Sequence, residues 1–149
     1  MPDYPPEIAI QPWLRIPAPA RVRVPGSKSL TNRALIVGAL ADGTSELTGA
    51  LDSEDTAVMV ESLNRLGITV SHDTQTCSIR VAGCGGRIPA AAAELLVANS
   101  GTSLRFLTAL VALGKGTFRL DGSPRMRQRP AADLLQALNR LGADASSEL

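Results

Sequence analysis

The sequence predicts an α/β fold assembled from a repeated strand–helix–strand–helix–strand–strand unit, one copy complete and a second incomplete. Three recurrences carry that prediction. Asn64-Arg65-Leu66-Gly67 returns as Asn139-Arg140-Leu141-Gly142, and Gly43-Thr44-x-x-Leu47 returns as Gly116-Thr117-x-x-Leu120. Upstream of each lies a small, polar helix start, Ser27-Lys28-Ser29 and then Asn99-Ser100-Gly101-Thr102-Ser103, each leading into an apolar helix with an early arginine, Arg33 or Arg105. A repeated unit that cannot bury its apolar face alone must pack on its neighbour.

The elements follow in order. Arg21 to Val24 alternate and read as a short strand. Residues 29–41 form an apolar helix, and Thr44 to Leu47 a strand. Asp52-Ser53-Glu54-Asp55 opens the next helix, with acidic residues suited to its first turn. Val58, Met59, Leu63 and Leu66 supply its buried face, and Gly67 suits the position after its end. Ile68-Thr69-Val70 and Ser78-Ile79-Arg80-Val81 flank the polar Asp73-Thr74-Gln75-Thr76 and predict a hairpin. Ala90 to Ala93 reads as a helix start or linker. The second copy offers a helix over 101–113, a strand at Thr117 to Leu120 and a helix over 130–141 with Pro130 at its first position. Its closing hairpin has no counterpart before Leu149, which points to a fragment or to a partner that supplies the rest.

Composition narrows the function. The chain has 149 residues, enough for a real core, and its 44% hydrophobic content is ordinary for a globular protein. A net charge of +1 gives no global pull toward nucleic acid or membrane, and only 3% aromatics makes base-stacking platforms a poor reading. No apolar run is long enough to span a membrane, and the N-terminus lacks the form of a secretory signal. Cys77, Cys84 and the single His72 match no metal or redox spacing. We expect no metal, with both cysteines reduced, part-buried packing residues and His72 at a strand end or turn.

Three polar clusters sit at or beside expected helix N-termini: Lys28-Ser29 with Arg33, Asn99-Ser100-Gly101-Thr102 with Arg105, and Arg125-Met126-Arg127-Gln128-Arg129. Free N–H groups and the positive end of a helix favour anions there. Lysine occurs only at 28 and 115, which sets Lys28 apart. Each cluster also has a plainer reading. Pro25-Gly26-Ser27 alone reads equally as a turn and cap, Asn99-Ser100-Gly101 as a capped turn, and Arg127 and Arg129 as solvated charges. Asp55 is explained by the helix dipole, and Arg65 and Arg140 by helix C-termini. The full Walker A pattern is absent, so a nucleotide P-loop is rejected. If the repeats pack side by side, the clusters converge on one face that suits ligands carrying phosphate and carboxylate groups.

Pro25-Gly-Ser-Lys-Ser-x-x-Asn-Arg33, Asn99-Ser-Gly-Thr102 with Arg105, and Pro124-Arg-Met-x-x-Arg-Pro130, taken in that order, resemble the 3-phosphoshikimate 1-carboxyvinyltransferase (EPSP synthase) family from about residue 21 to 141. The resemblance implies two similar domains, each of three βαβαββ units, with the active site between them. This chain would hold residues 1–27 as a lead-in strand segment starting in the opposite domain, then an incomplete domain over 28–149. Its first unit covers about 28–85 and its second about 95–149. The resemblance further implies transfer of the enolpyruvyl group of phosphoenolpyruvate to the 5-hydroxyl of shikimate 3-phosphate, with no metal or organic cofactor. The setting is aromatic amino acid biosynthesis in the cytoplasm, by a protein that is monomeric when complete. Lys28 then contacts both substrates as the catalytic lysine, Ser29 and Arg33 hold shikimate 3-phosphate, and Asn99, Gly101 and Arg125 hold phosphoenolpyruvate. The family's second domain and its proton-moving acidic residues lie outside this sequence, so the chain alone is expected to be inactive. Phe106 stands where many relatives have proline. The alternatives are a UDP-N-acetylglucosamine enolpyruvyl transferase-like enzyme, which typically has Lys-Asn where this chain has Lys28-Ser29, and a non-catalytic anion-binding half-domain.

Overall fold

The computed structural model describes residues 5–12, 19 and 21–148. Within them the chain forms α1 (Lys28–Leu40), β1 (Thr44–Thr48), α2 (Glu54–Arg65), β2 (Val70–Asp73), β3 (Ser78–Ala82), β4 (Ala92–Leu96), α3 (Gly101–Val111), β5 (Thr117–Asp121), α4 (Pro124–Arg127) and α5 (Ala132–Arg140).

Serine starts the first four helices. Ser27, Ser53, Ser100 and Ser123 are the N-caps of α1 to α4, and each side chain accepts a backbone N–H from the first turn. A hydroxyl in that position satisfies one of the orphan donors of a helix start. The two Asn-Arg-Leu-Gly copies end α2 and α5 in one way. Gly67 and Gly142 take φ of 80° and 96°, a conformation glycine adopts without penalty. The asparagine then clamps the chain beyond. Asn64 accepts from the Val70 amide at 2.9 Å and donates to the Val70 carbonyl at 3.0 Å. Asn139 does the same with Ala145, at 2.8 Å for both bonds.

The strands form two sheets. β3 lies between β1 and β2, antiparallel to both, with His72 opposite Ile79. β4 and β5 run parallel, with Glu94 opposite Arg119, and α3 is the crossover between them. Helices α1, α2 and α3 pack on one another, and α2 also lies against β4 of the second unit. The core runs through this junction: Leu35, Met59, Leu63, Leu66, Ile79, Val81, Val97 and Leu107 are all fully buried. Each such side chain contributes roughly 1.5–3 kcal/mol through removal from water.

Several expectations need correction. Arg21 to Val24 form no strand; Val22 and Val24 are exposed, with no apolar surface to bury, and Pro25 ends the segment. Residues 92 and 93 belong to β4, because the parallel pairing with β5 overrides the weak strand preference of alanine. The hairpin is shifted: β2 begins at Val70 and reaches Asp73, whose side chain accepts from the Gln75 and Thr76 amides and makes the turn. Residues 124–127, expected to precede the last helix, are themselves the helix α4. Pro130 is not the first residue of α5, which starts at Ala132 after an Ala131 cap without a side-chain bond. His72 lies within β2. Cys84 packs against the core as expected, but Cys77 is exposed in the hairpin turn with φ 52°. The lead-in over 1–20 falls largely outside the described residues, since 1–4, 13–18 and 20 are not among them.

Candidate active site

The helix starts meet around one carboxylate. Lys28 opens α1 and places its ammonium 3.2 Å from Oδ2 of Asp55, in the first turn of α2. Oδ1 of Asp55 accepts from the hydroxyl of Ser100, the cap of α3. The Ser103 hydroxyl lies 2.7 Å from that of Ser100 and donates to the Asp55 carbonyl at 3.5 Å. Three helix N-termini are thereby tied together. A fourth joins through Asn99, whose Oδ1 accepts from the hydroxyl of Ser123, the cap of α4. The Ser100 hydroxyl holds the Asp55 carboxyl below its ordinary range, with Lys28 adding to this and burial opposing it.

The remaining expected residues sit around this junction. Arg33 lies one turn beyond Ser29 and donates to the Ser29 carbonyl at 3.0 Å and to its hydroxyl. Its guanidinium also stands 5.7 Å from the centre of the Phe106 ring on α3, a cation–π contact that spans the two units. Gly101 opens α3 directly against Arg129, so a Cβ at this position would run into the guanidinium. Arg105 donates to the Pro130 carbonyl at 3.3 Å. Arg127 is locked onto Asp121 by two bonds, of 2.8 and 2.6 Å, and its guanidinium pulls the Asp121 carboxyl down to about 2. Arg125, on the same short helix, has no side-chain partner among the described residues and is exposed. Lys28, Ser29, Arg33 and Asn99 are exposed as well, so the cluster faces outward.

This arrangement can bind anions. Free N–H groups at helix starts, Lys28 as a point charge and arginines with planar forks present fixed positive potential on one face. Among the described residues no three His, Cys, Asp or Glu side chains gather to hold a metal.

The structure brings the first and second clusters together as expected and ties the third to them through Ser123. It also shows which residues the sequence reading undervalued. The α2 dipole alone explains an acidic residue at Asp55, yet its carboxylate links α1 to α3. Arg127 and Arg129 are both exposed, as the solvated reading expects, and each also meets a neighbour: Arg127 pairs with Asp121 and Arg129 packs on Gly101. Arg65 keeps its structural role, donating to Glu61 at 2.8 Å and to the Glu94 carbonyl at 3.3 Å. The serine at Ser100 was visible as a cap. Its bond to Asp55 spans 45 residues, and no local pattern announces it.

The α/β scaffold aims several helix N-termini and a lysine–arginine set at one face, an arrangement suited to anions. Residues 16–149 match the family model of EPSP synthase (3-phosphoshikimate 1-carboxyvinyltransferase). The chain is 52% identical over 137 residues to the 3-phosphoshikimate 1-carboxyvinyltransferase of Nostoc punctiforme, covering 92% of this chain and 32% of that protein. It is 46% identical over 135 residues to the Nitrosomonas europaea protein of the same name, covering 88% and 31%. The solved EPSP synthase from Acinetobacter baumannii superposes with a TM-score of 0.71 at 27% identity, over 85% of this chain and 29% of that one. This chain belongs to the EPSP synthase family. It spans about a third of the length of the curated relatives it matches.

Proposed function

We propose that this chain carries one wall of an active site that transfers the enolpyruvyl group of phosphoenolpyruvate to the 5-hydroxyl of shikimate 3-phosphate. The products are 5-enolpyruvylshikimate 3-phosphate and inorganic phosphate, on the route to chorismate and the aromatic amino acids, in the cytoplasm. The observation that supports this best is the convergence of the α1, α2 and α3 N-termini on Lys28 and Asp55, with α4, which carries Arg125, tied to Asn99 through its cap Ser123.

The 5-hydroxyl oxygen gives up its proton and adds to C2 of phosphoenolpyruvate while a proton is added at C3. The tetrahedral intermediate then loses phosphate from C2 and a proton from C3. Both substrates are polyanions, so fixed positive charge is the wall's contribution. Ser29 and Arg33 grip shikimate 3-phosphate, and the Phe106 ring supports the Arg33 guanidinium. Asn99 and the backbone of Gly101 approach phosphoenolpyruvate closely, and Arg125 holds one of its anionic groups. Lys28 reaches both. The groups that move protons belong to the rest of a complete enzyme, which acts as a monomer.

The test is a chimera in which this chain replaces the matching segment of the Nostoc punctiforme relative. It should release phosphate only when both substrates are present. Lys28→Ala should lower kcat/KM by about 2 kcal/mol of transition-state stabilisation or more, roughly thirtyfold. Arg125→Ala should do the same. Saturable binding of shikimate 3-phosphate without phosphate release would favour an anion-binding half-domain, and a preference for UDP-N-acetylglucosamine as acceptor would favour the related transferase.

A further inference from the structure

Asp55 does more than its place in α2 requires. An acidic residue in a first turn meets the helix dipole with its carboxylate turned to solvent. Here the carboxylate is divided between two partners on two other helices. Oδ1 is engaged by the hydroxyl of Ser100, which is only 4% exposed and fixed as the cap of α3. Oδ2 is left for Lys28 at 3.2 Å. The backbone beneath it is also fixed: Thr56 is fully buried, and its hydroxyl lies 3.1 Å from that of the cap Ser53. Lys28 itself is the reverse case, a four-carbon stem on the first residue of α1 whose side chain is 51% exposed and has no other partner among the described residues.

We propose that Asp55 is the positioning residue for Lys28, holding the ammonium in register with the N-terminus of α3 through Ser100. The role rests on the reading of Lys28 as the residue that reaches both substrates. A free lysine at a helix start samples many rotamers, and a charge that must stand between two anions loses effect when it wanders. Ser100 fixes the carboxylate's rotamer, and the carboxylate fixes the lysine. The carboxyl, held below its ordinary range, stays ionised at neutral pH and keeps the pair intact.

The chain offers a direct readout, because its only lysines are 28 and 115. Carbon-13 and nitrogen-15 lysine labelling therefore gives one ε-methylene signal for the site and one for an internal control. In the 149-residue chain, Lys28 should show a shift distinct from Lys115 and a higher side-chain order parameter. Asp55→Asn should bring the Lys28 values onto those of Lys115, Asp55→Glu should keep part of the difference, and Ser100→Ala should lie between. An unchanged Lys28 signal in folded Asp55→Asn overturns the proposal, as does a Lys28 signal already equal to that of Lys115 in the parent chain. If Asp55→Asn does not fold, Ser100→Ala and Asp55→Glu decide on the same signals. In the chimera, Asp55→Asn should lower kcat/KM on the order of tenfold, with partial rescue by Asp55→Glu. The lysine spectra require no substrate, so their failure is separable from failure of the functional reading.

Discussion

Helices α2 and α5 carry the same closing motif, the same asparagine clamp and the same left-handed glycine, yet they end up in different surroundings. Helix α2 buries Thr56, Met59, Ser62 and Leu63, whereas α5 buries no residue. The difference is what lies beside them. Helix α2 is enclosed by α1, by β2 of its own unit, and by β4 and α3 of the next. No such set of elements covers α5 among the described residues. An amphipathic sequence fixes which face is ready for burial, while the neighbouring unit decides whether burial occurs.

The largest expected contrast is in the core. Leu63→Ala should cost about 2–5 kcal/mol in denaturant unfolding, because Leu63 is fully buried. Leu138→Ala, on the half-buried face of α5, should cost roughly 1 kcal/mol or less. Equal losses would break the comparison. The clamps come next. Asn64→Ala removes two bonds to the strand that begins at Val70 and should cost about 1–3 kcal/mol. Asn139→Ala should cost less than half of that, since Ala145 begins no strand. Hydrogen exchange at Val70 and Ala145 would report each clamp separately.

The second sheet carries a pH effect. Asp121, at the end of β5, is held down at about 2 by Arg127. In the unfolded chain it titrates near its ordinary value of about 3.9. Its folded value is the lower one, so the stability it lends is complete above that ordinary value and is lost as pH falls toward 2. A titration of the Asp121 carboxyl carbon by NMR should show the depressed midpoint, and Arg127→Gln should move it up toward the usual range, with the Gly122 amide still opposing the rise. The smallest effect is expected at Arg65. Arg65→Ala should change stability by about 0.5 kcal/mol or less, because its partner Glu61 is exposed, and should leave chimera kinetics unchanged. A kinetic defect there would move Arg65 into the site.

Most helices and the β1, β3 and β5 strands were legible because local chemistry marks them: serine caps, apolar periodicity and the glycine after the helix. Strand β4 was missed because its alanines carry little strand preference, and only the register with β5 makes them one. Arg21 to Val24 failed in the opposite direction, with alternation present and no surface to receive it. The site divides in the same way. Lys28, Gly101 and Arg125 stand in short motifs that can be read in line. Asp55, Arg129 and Phe106 gain their roles from contacts between distant segments, and their neighbours in sequence explain them just as well without those contacts.

The enclosure of α2 has a consequence for how the chain opens. Residues 83–91 connect β3 to β4, and α2 reaches across that connection to pack on β4 and α3. Buried surface is therefore shared across the connection, and neither unit is an autonomous foldon. The most protected amides of α1 and α3 should exchange with one common free energy, and a protease that nicks the 83–91 connection should leave two pieces that migrate together.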